Sequence, residues 1–91
     1  MAGQASPEAM DRMISNLTKC IQAQQSVAAA LKNDYRTVGE EWNDKQYENL
    51  GVVIESAVRD LSSNYASLSE SISKLQILKQ KLMDYLEHHI A

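Results

Sequence analysis

The sequence predicts an all-α fold, an antiparallel two-helix hairpin that dimerises into a four-helix bundle. With three Gly, one Pro and no Phe in 91 residues, the composition favours helix over sheet. Two long stretches carry apolar residues every three or four positions, as amphipathic helices do. The only tryptophan, Trp42, lies in a short segment between them, Gly39 to Asp44, which predicts a single bend.

The first helix is predicted over residues 7–38, after a disordered segment of small and polar residues at 1–5. Ser6 fits the N-cap, Pro7 the first helical position, and Glu8 the positive end of the helix dipole. The apolar stripe of this helix comprises Met10, Met13, Leu17, Cys20, Gln24, Val27, Leu31 and Val38, flanked by Ile14, Ile21, Ala28 and Tyr35. Cys20 is therefore expected to be a buried, inert thiol.

The bend is predicted at residues 39–43, short enough to make the two helices antiparallel. Gly39 fits a left-handed C-cap of the first helix. Asn43 fits the N-cap of the second helix, with Gln46 able to reach back, and Asp44 fits the same position equally well.

The second helix is predicted over residues 44–88, within one domain that spans residues 6–91. Gly51 is the only strong helix breaker in it, which suggests a close neighbour, with Trp42 as the candidate, or a tolerated surface glycine. Its stripe comprises Tyr47, Leu50, Ile54, Ala57, Leu61, Asn64, Leu68, Ser71, Leu75, Leu78, Leu82 and Tyr85, beside Val58, Tyr65, Ile72 and Leu86.

A two-helix hairpin of this size has a small core, so a partner is expected. Residues 77–90 should extend beyond the first helix and need a cover from that partner. The polar stripe residues Gln24, Asn64 and Ser71 either fix the register with the partner or face water on rotated helices. The predicted dimer or bundle core consists of Leu17, Ile21, Leu31, Ile54, Leu61, Leu68, Leu75 and Leu82.

Several function classes are disfavoured by the sequence. The net charge of −3 is unlike that of a nucleic-acid-binding protein. No catalytic motif, cofactor site or metal-ligand spacing is present, so no enzyme activity is expected; the adjacent His88 and His89 point apart on a helix. No stretch reaches the roughly 20 apolar residues of a membrane span, and the N-terminus does not resemble a secretory signal peptide.

Trp42 has two interpretations. It either closes the end of the apolar stripe at the bend or is displayed beside Glu40, Glu41 and Asp44 as a docking anchor for a partner. We expect it to be partly packed and partly displayed. The predicted turn motif for partner recognition is Trp42, Asn43 and Asp44.

The chain resembles the WXG (ESAT-like) family of small type VII secretion proteins. The resemblance covers about Ser6 to His88, and its specific part is Glu41-Trp42-Asn43-Asp44 followed by Tyr47 and Leu50. Trp42 matches the family motif, whereas Asp44 stands where the family has glycine, as in a Trp-Asn-Asp variant. The family's tail signal, Tyr followed four residues later by Asp or Glu, is not matched at Tyr65 or Tyr85.

This resemblance implies a non-enzymatic type VII secretion substrate or a targeting partner that acts through helix-helix assembly. The partner would be a second copy, a paralogue or a long-helical toxin, and the secretion ATPase machinery would be a further partner. The protein would be secreted without a cleaved signal peptide, or stay in the cytoplasm as a targeting partner. The alternative is a cytoplasmic helical scaffold, adaptor or chaperone for a larger helical protein.

Overall fold

The computed structural model describes residues 6–90, and within them the protein is a helical hairpin without strands. Helix α1 spans Pro7–Gly39 and helix α2 spans Lys45–Ile90. The helices pack along each other in a rod of 70 × 18 × 15 Å. The predicted all-α hairpin is confirmed. The disorder predicted for residues 1–5 lies outside the described residues.

Local sequence signals account for where α1 begins. The Ser6 hydroxyl oxygen accepts a hydrogen bond from the Ala9 backbone N–H at 3.0 Å, and Pro7 occupies the first turn. Glu8 lies in the same turn, where a negative charge is favourable. The Ser6 bond satisfies one of the helix N–H groups that have no partner inside the helix.

The two helices meet along a seam of half-buried residues that recur every three or four positions. On α1 the seam comprises Met10, Ile14, Leu17, Ile21, Gln24, Ala28, Leu31 and Tyr35. On α2 it comprises Tyr47, Gly51, Ile54, Val58, Leu61, Tyr65, Leu68, Ile72, Leu75, Lys79, Leu82 and Leu86. All eight predicted core residues lie in this seam, and each is half-buried rather than buried.

The seam corrects the predicted stripes, because each helix is rotated toward its flanking row. Met13, Cys20 and Val27 on α1 are exposed, so the expectation of a buried Cys20 thiol was wrong. On α2, Asn64, Ser71, Leu78 and Tyr85 are exposed as well. Each apolar stripe consists of three rows, in which successive residues are seven positions apart, and a single neighbouring helix covers only two of them. In this hairpin one of the covered rows is the flanking row, with its branched residues and tyrosines.

Of the three polar stripe residues, only Gln24 remains in the seam. Its Oε1 is buried and has no hydrogen-bond partner among the described residues. Its backbone carbonyl accepts a hydrogen bond from the Tyr65 hydroxyl at 3.0 Å. This bond fixes the level at which the two helices face each other.

A second cross-helix contact sets the length of the overhang. Lys79 Nζ lies 2.7 Å from Asp11 Oδ1, so α1 still runs beside α2 at residue 79. The overhang therefore starts near Leu82, not at residue 77 as predicted.

The core of the hairpin is incomplete. Ala28, 7% exposed, is the only buried residue in the described part of the chain. The chain exposes 6991 Å², whereas a compact monomer of its mass exposes about 5,300 Å². The rod therefore leaves about 1,700 Å² more surface in contact with solvent than a globular fold would.

Candidate functional site

The bend differs in geometry from the prediction. Gly39 is the last residue of α1, and the following residue, Glu40, is right-handed with φ −65° and ψ −29°. The Glu41 and Trp42 N–H groups donate to the Val38 carbonyl at 3.2 and 3.0 Å. The predicted left-handed C-cap at Gly39 was wrong, because backbone turns rather than a glycine cap satisfy the last carbonyls.

Asp44, rather than Asn43, caps the second helix. Its Oδ1 accepts hydrogen bonds from the backbone N–H groups of Gln46 at 2.8 Å and Tyr47 at 3.3 Å. The Gln46 side chain accepts a hydrogen bond from Asn49 at 3.3 Å. The Asp44 alternative of the sequence analysis is therefore the one that the structure adopts.

Trp42 is tied to this cap. The hydrogen bond from the Trp42 side chain is the largest cause that lowers the pKa of Asp44, and the N–H groups of Tyr47 and Gln46 add to it. Burial acts in the opposite direction and is outweighed. Trp42 is 40% exposed, so its ring presents a face to solvent while it interacts with the cap. Asn43 is exposed.

Next to the bend lies a tyrosine clasp, formed by Tyr35 and Tyr47 with Gly39 and Gly51. The two rings stack with centroids 4.3 Å apart and an angle of 1° between their planes. The Tyr47 hydroxyl donates to the Tyr35 carbonyl at 3.0 Å, and the Tyr35 hydroxyl donates to the Tyr47 carbonyl at 3.4 Å. Each tyrosine thus binds the backbone of the opposite helix.

The glycines make room for these rings. A Cβ placed on Gly51 would lie 2.5 Å from Tyr35 Oη and 3.0 Å from Tyr35 Cζ, and one placed on Gly39 would clash with the Tyr47 ring. The neighbour of Gly51 is therefore Tyr35, and the expectation that it is Trp42 was wrong. The pKa of Tyr35 is raised. The main cause is that the phenol loses part of its solvent, and the second is its interaction with Tyr47.

The clasp was missed by the sequence analysis, although the sequence carries a signal for it. Tyr35 precedes Gly39 by four residues, and Tyr47 precedes Gly51 by four residues. Residues four apart lie on the same face of a helix, so each helix offers a ring beside a gap. Because the same spacing of Tyr and Gly occurs on both sides of the bend, the Tyr35 ring fits over Gly51 and the Tyr47 ring fits over Gly39.

One side of the rod carries an uncovered face, made of the third row of each helix. On α1 this row comprises Met13, Cys20 and Val27, and Met13 and Val27 are 54% and 51% exposed. On α2 it comprises Leu50, Ala57, Asn64, Ser71, Leu78 and Tyr85, of which Leu50 and Ala57 are half-buried.

The two rows lie on the same side of the hairpin. Each is rotated about 80° from the seam, in the same sense around its own helix. The two helices face each other and run in opposite directions. A rotation in the same sense around each helix axis therefore moves both rows to the same side of the hairpin. A groove of about 500 Å³ is lined by Lys32 of α1 and by Glu48 and Glu55 of α2, residues on the opposite edge of the seam, and therefore marks the other side.

The described part of the chain offers neither a metal site nor a membrane-spanning helix. No group of His, Cys, Asp and Glu residues there has the geometry to hold a metal ion. His88 Nδ1 lies 2.9 Å from the Asp84 carbonyl oxygen within α2. Neither helix has an apolar stretch of the length needed to cross a membrane, as far as the described residues go.

Comparisons with known proteins leave the fold and its surfaces as the basis for a functional argument. No protein-family model matches the chain. Significant matches are found neither among curated proteins nor among solved structures.

Proposed function

We propose that this protein is a WXG-like type VII secretion substrate or targeting partner that works without enzymatic activity, through helix-helix assembly. It would leave the cell without a cleaved leader, or remain inside as the partner that guides a longer helical protein to the secretion machinery. The proposal combines the resemblance around Trp42 with the need of the hairpin for a partner.

The observation that carries the proposal is the incomplete core. A hairpin with Ala28 as its only buried residue among those described has few internal contacts with which to hold its shape. Its uncovered face is apolar at both ends, where another pair of helices would complete a four-helix bundle. A protein built in this way is suited to assembly with other helices.

The bend supports the targeting part of the proposal. The indole of Trp42 interacts with Asp44 and is 40% exposed at the tip of the rod. A large, exposed aromatic ring is the type of residue that dominates protein interfaces. Glu40 and Glu41 beside it are exposed and would favour a basic surface on the recognising protein.

Replacing Trp42 with alanine tests this function in the native host. We expect export to be lost while the variant keeps the helicity and assembly state of the wild type, because the ring lies outside the seam. Export is measured by quantitative mass spectrometry of culture supernatant, with and without the type VII secretion ATPase. The matched control is Val53→Ala, which also truncates a large exposed residue, 63% exposed and on the outer surface of α2.

Two outcomes would contradict the proposal. One is strict retention of the wild-type protein in cells, together with normal export of the proteins that the ATPase secretes. The other is unchanged export of the Trp42→Ala variant. Loss of helicity in that variant would instead assign Trp42 a structural role.

A further inference from the structure

We propose that the groove beside the tyrosine clasp binds the basic ridge of another copy of this chain, formed by Lys74, Ile77 and Lys81, with the two α2 helices antiparallel. The groove lies on the other side of the rod from the uncovered face. This contact is therefore separate from any helix that covers that face, and it can join copies whose uncovered faces are already occupied. It depends on charge rather than on an apolar surface.

The groove combines apolar walls with acidic side chains. Its volume of about 500 Å³ is lined by half-buried Ile54 and Val58 and by Val52, which is 66% exposed. Glu48 and Glu55 lie on the same wall and are exposed. Neither carboxylate takes part in the two ion pairs of the described residues. The groove therefore favours an occupant with an apolar residue between two basic ones.

The spacing of these side chains specifies the occupant further. Glu48 and Glu55 are seven positions apart, and Val52 lies between them on the same face of α2. A helix that packs along α2 has the same rise per residue. Its two basic residues therefore reach both carboxylates only if they are also seven positions apart.

The basic ridge on the outer surface of α2 has this pattern. Lys74 and Lys81 are seven positions apart, with Ile77 between them on the same face. All three are exposed, and Ile77 is 57% exposed. Lys74 lies 3.6 Å from Glu70, with the two side chains 71% and 69% exposed. Such an exposed pair contributes little, so it leaves Lys74 available for a second carboxylate.

One other pair of basic residues has the same spacing. Arg12 and Lys19 of α1 are seven positions apart. The residues between them on that face are Ser15 and Asn16, which are polar and offer no apolar contact to Val52. The basic ridge is therefore the segment of this chain that fits the groove.

An antiparallel pair of α2 helices makes this contact twice. We place the two-fold axis level with the midpoint between Asn64 and Tyr65, so that each residue faces the one equally far from that midpoint in the other copy. Val52 then faces Ile77. Oppositely charged residues also face each other, namely Lys45 and Asp84, Glu48 and Lys81, Glu55 and Lys74, and Arg59 and Glu70.

The centre of the contact consists of small residues. Ser62 faces Ser67, and Ser63 faces Ala66, on both sides of the axis. All four are exposed in the hairpin. Because the distance between packed helices depends on the side chains at the contact, small residues let the two α2 helices approach closely. The longer charged side chains on either side then reach their partners.

The α1 wall of the groove adds a further attraction. The cross-helix contacts of Tyr65 and Lys79 place Lys32 level with about Ala57 of α2. In the antiparallel register, Glu70 of the second copy lies within about 3 Å of this level along the rod. Lys32 lines the groove, so it faces the same carboxylate as Arg59.

Other registers fit less well. Moving one copy by seven residues places Val52 opposite Glu70 or Ile77 opposite Arg59, so that an apolar side chain meets a charged one. With the two helices parallel and in register, each charged residue faces its own counterpart, and like charges repel. The antiparallel register about the midpoint avoids both conflicts.

Cross-linking tests the contact in the purified full-length chain at low salt. The reagent is a carbodiimide, which joins a carboxylate to an amine without a spacer, and the linked peptides are identified by mass spectrometry. We expect links between Glu48 and Lys81 and between Glu55 and Lys74. Glu48 and Lys81 of one helix are about 50 Å apart, so a link between them joins two copies. The links should be lost at about 1 M salt, where the Debye length is about 3 Å.

Charge reversal tests the register. Glu55→Lys and Lys74→Glu each place like charges opposite each other twice. Each should raise the dissociation constant of the salt-sensitive association by at least about tenfold. The double variant restores the attraction with the charges exchanged and should return to within about threefold of the wild type. Sedimentation equilibrium at low salt measures these constants.

The matched control is Lys19→Glu. It changes the net charge by the same amount as Lys74→Glu and lies on the exposed outer surface of α1. We expect it to change the dissociation constant by less than about threefold. Equal weakening by the two variants would mean that net charge, rather than the basic ridge, controls the association.

Three further outcomes would overturn the proposal: no link between Glu48 and Lys81 at low salt, unchanged association of Glu55→Lys, and a double variant that associates no better than the single ones. The contact and the proposed function can fail separately. A protein that is exported by the type VII machinery but forms no such link refutes the contact alone. A protein that forms the link but is strictly retained in cells refutes the proposed function alone.

Discussion

Replacing Gly51 with alanine tests whether the tyrosine clasp holds the hairpin together. In an ordinary helix this change stabilises by about 1 kcal/mol, because glycine loses more backbone entropy on folding. Here the new Cβ would lie 2.5 Å from Tyr35 Oη and 3.0 Å from Cζ. The ring cannot turn aside without leaving its stack on Tyr47, so the usual gain is opposed by the loss of the clasp.

The magnitude follows from the contacts. Turning the Tyr35 ring aside breaks the stack, which costs about 1 kcal/mol, and the hydrogen bond that the Tyr35 hydroxyl donates, which costs about 1 kcal/mol. After the helix gain of about 1 kcal/mol, Gly51→Ala should destabilise the protein by about 1 kcal/mol. Urea unfolding followed by circular dichroism, at several fixed protein concentrations, measures this change and separates it from dissociation of a dimer.

A double-mutant cycle supplies the control. In a Tyr35→Ala background the obstructing ring is gone, so Gly51→Ala should stabilise by about 1 kcal/mol, with the opposite sign. Gly39→Ala should reproduce the first result, since Tyr47 covers Gly39 in the same way. Stabilisation by Gly51→Ala in the wild-type background would refute the argument that the glycine is required by Tyr35.

Two further predictions concern the cap and the seam. Since the pKa of Asp44 is lowered in the folded state, its contribution to stability should be complete above the ordinary carboxyl pKa and lost as the pH falls below it. Asp44→Asn keeps a capping oxygen and should weaken this part of the acid dependence; identical pH profiles of the urea midpoint would contradict the assignment. Leu61→Ala should cost about 2 to 3 kcal/mol in the same unfolding assay, because Leu61 is half-buried in the seam. The exposed Val53→Ala should change stability by less than about 0.5 kcal/mol, and equal effects of the two would mean that the seam is wrongly assigned.

The hairpin and the N-caps of its helices were predictable because local signals specify them. Ser6 and Pro7 mark the start of α1, and helix periodicity continues on both sides of a single bend. Asp44 was one of two possible caps, and the choice depended on which side chain reached the free N–H groups. Such features depend on residues within a few positions of each other, so the sequence contains them directly.

The sequence by itself determined two amphipathic helices and the apolar stripe on each. Only the tertiary structure decided which two of the three rows in each stripe would face the other helix, although Asn64 and Ser71 make the third row of α2 less apolar than the other two. That choice depended on the clasp, where two tyrosines fit over two glycines from opposite helices. These contacts join residues that are far apart in the sequence, and they depend on the fit of a ring over a glycine. They therefore set the rotation of both helices about their axes. As a result Cys20 is exposed and the third row of each stripe is left without a covering helix.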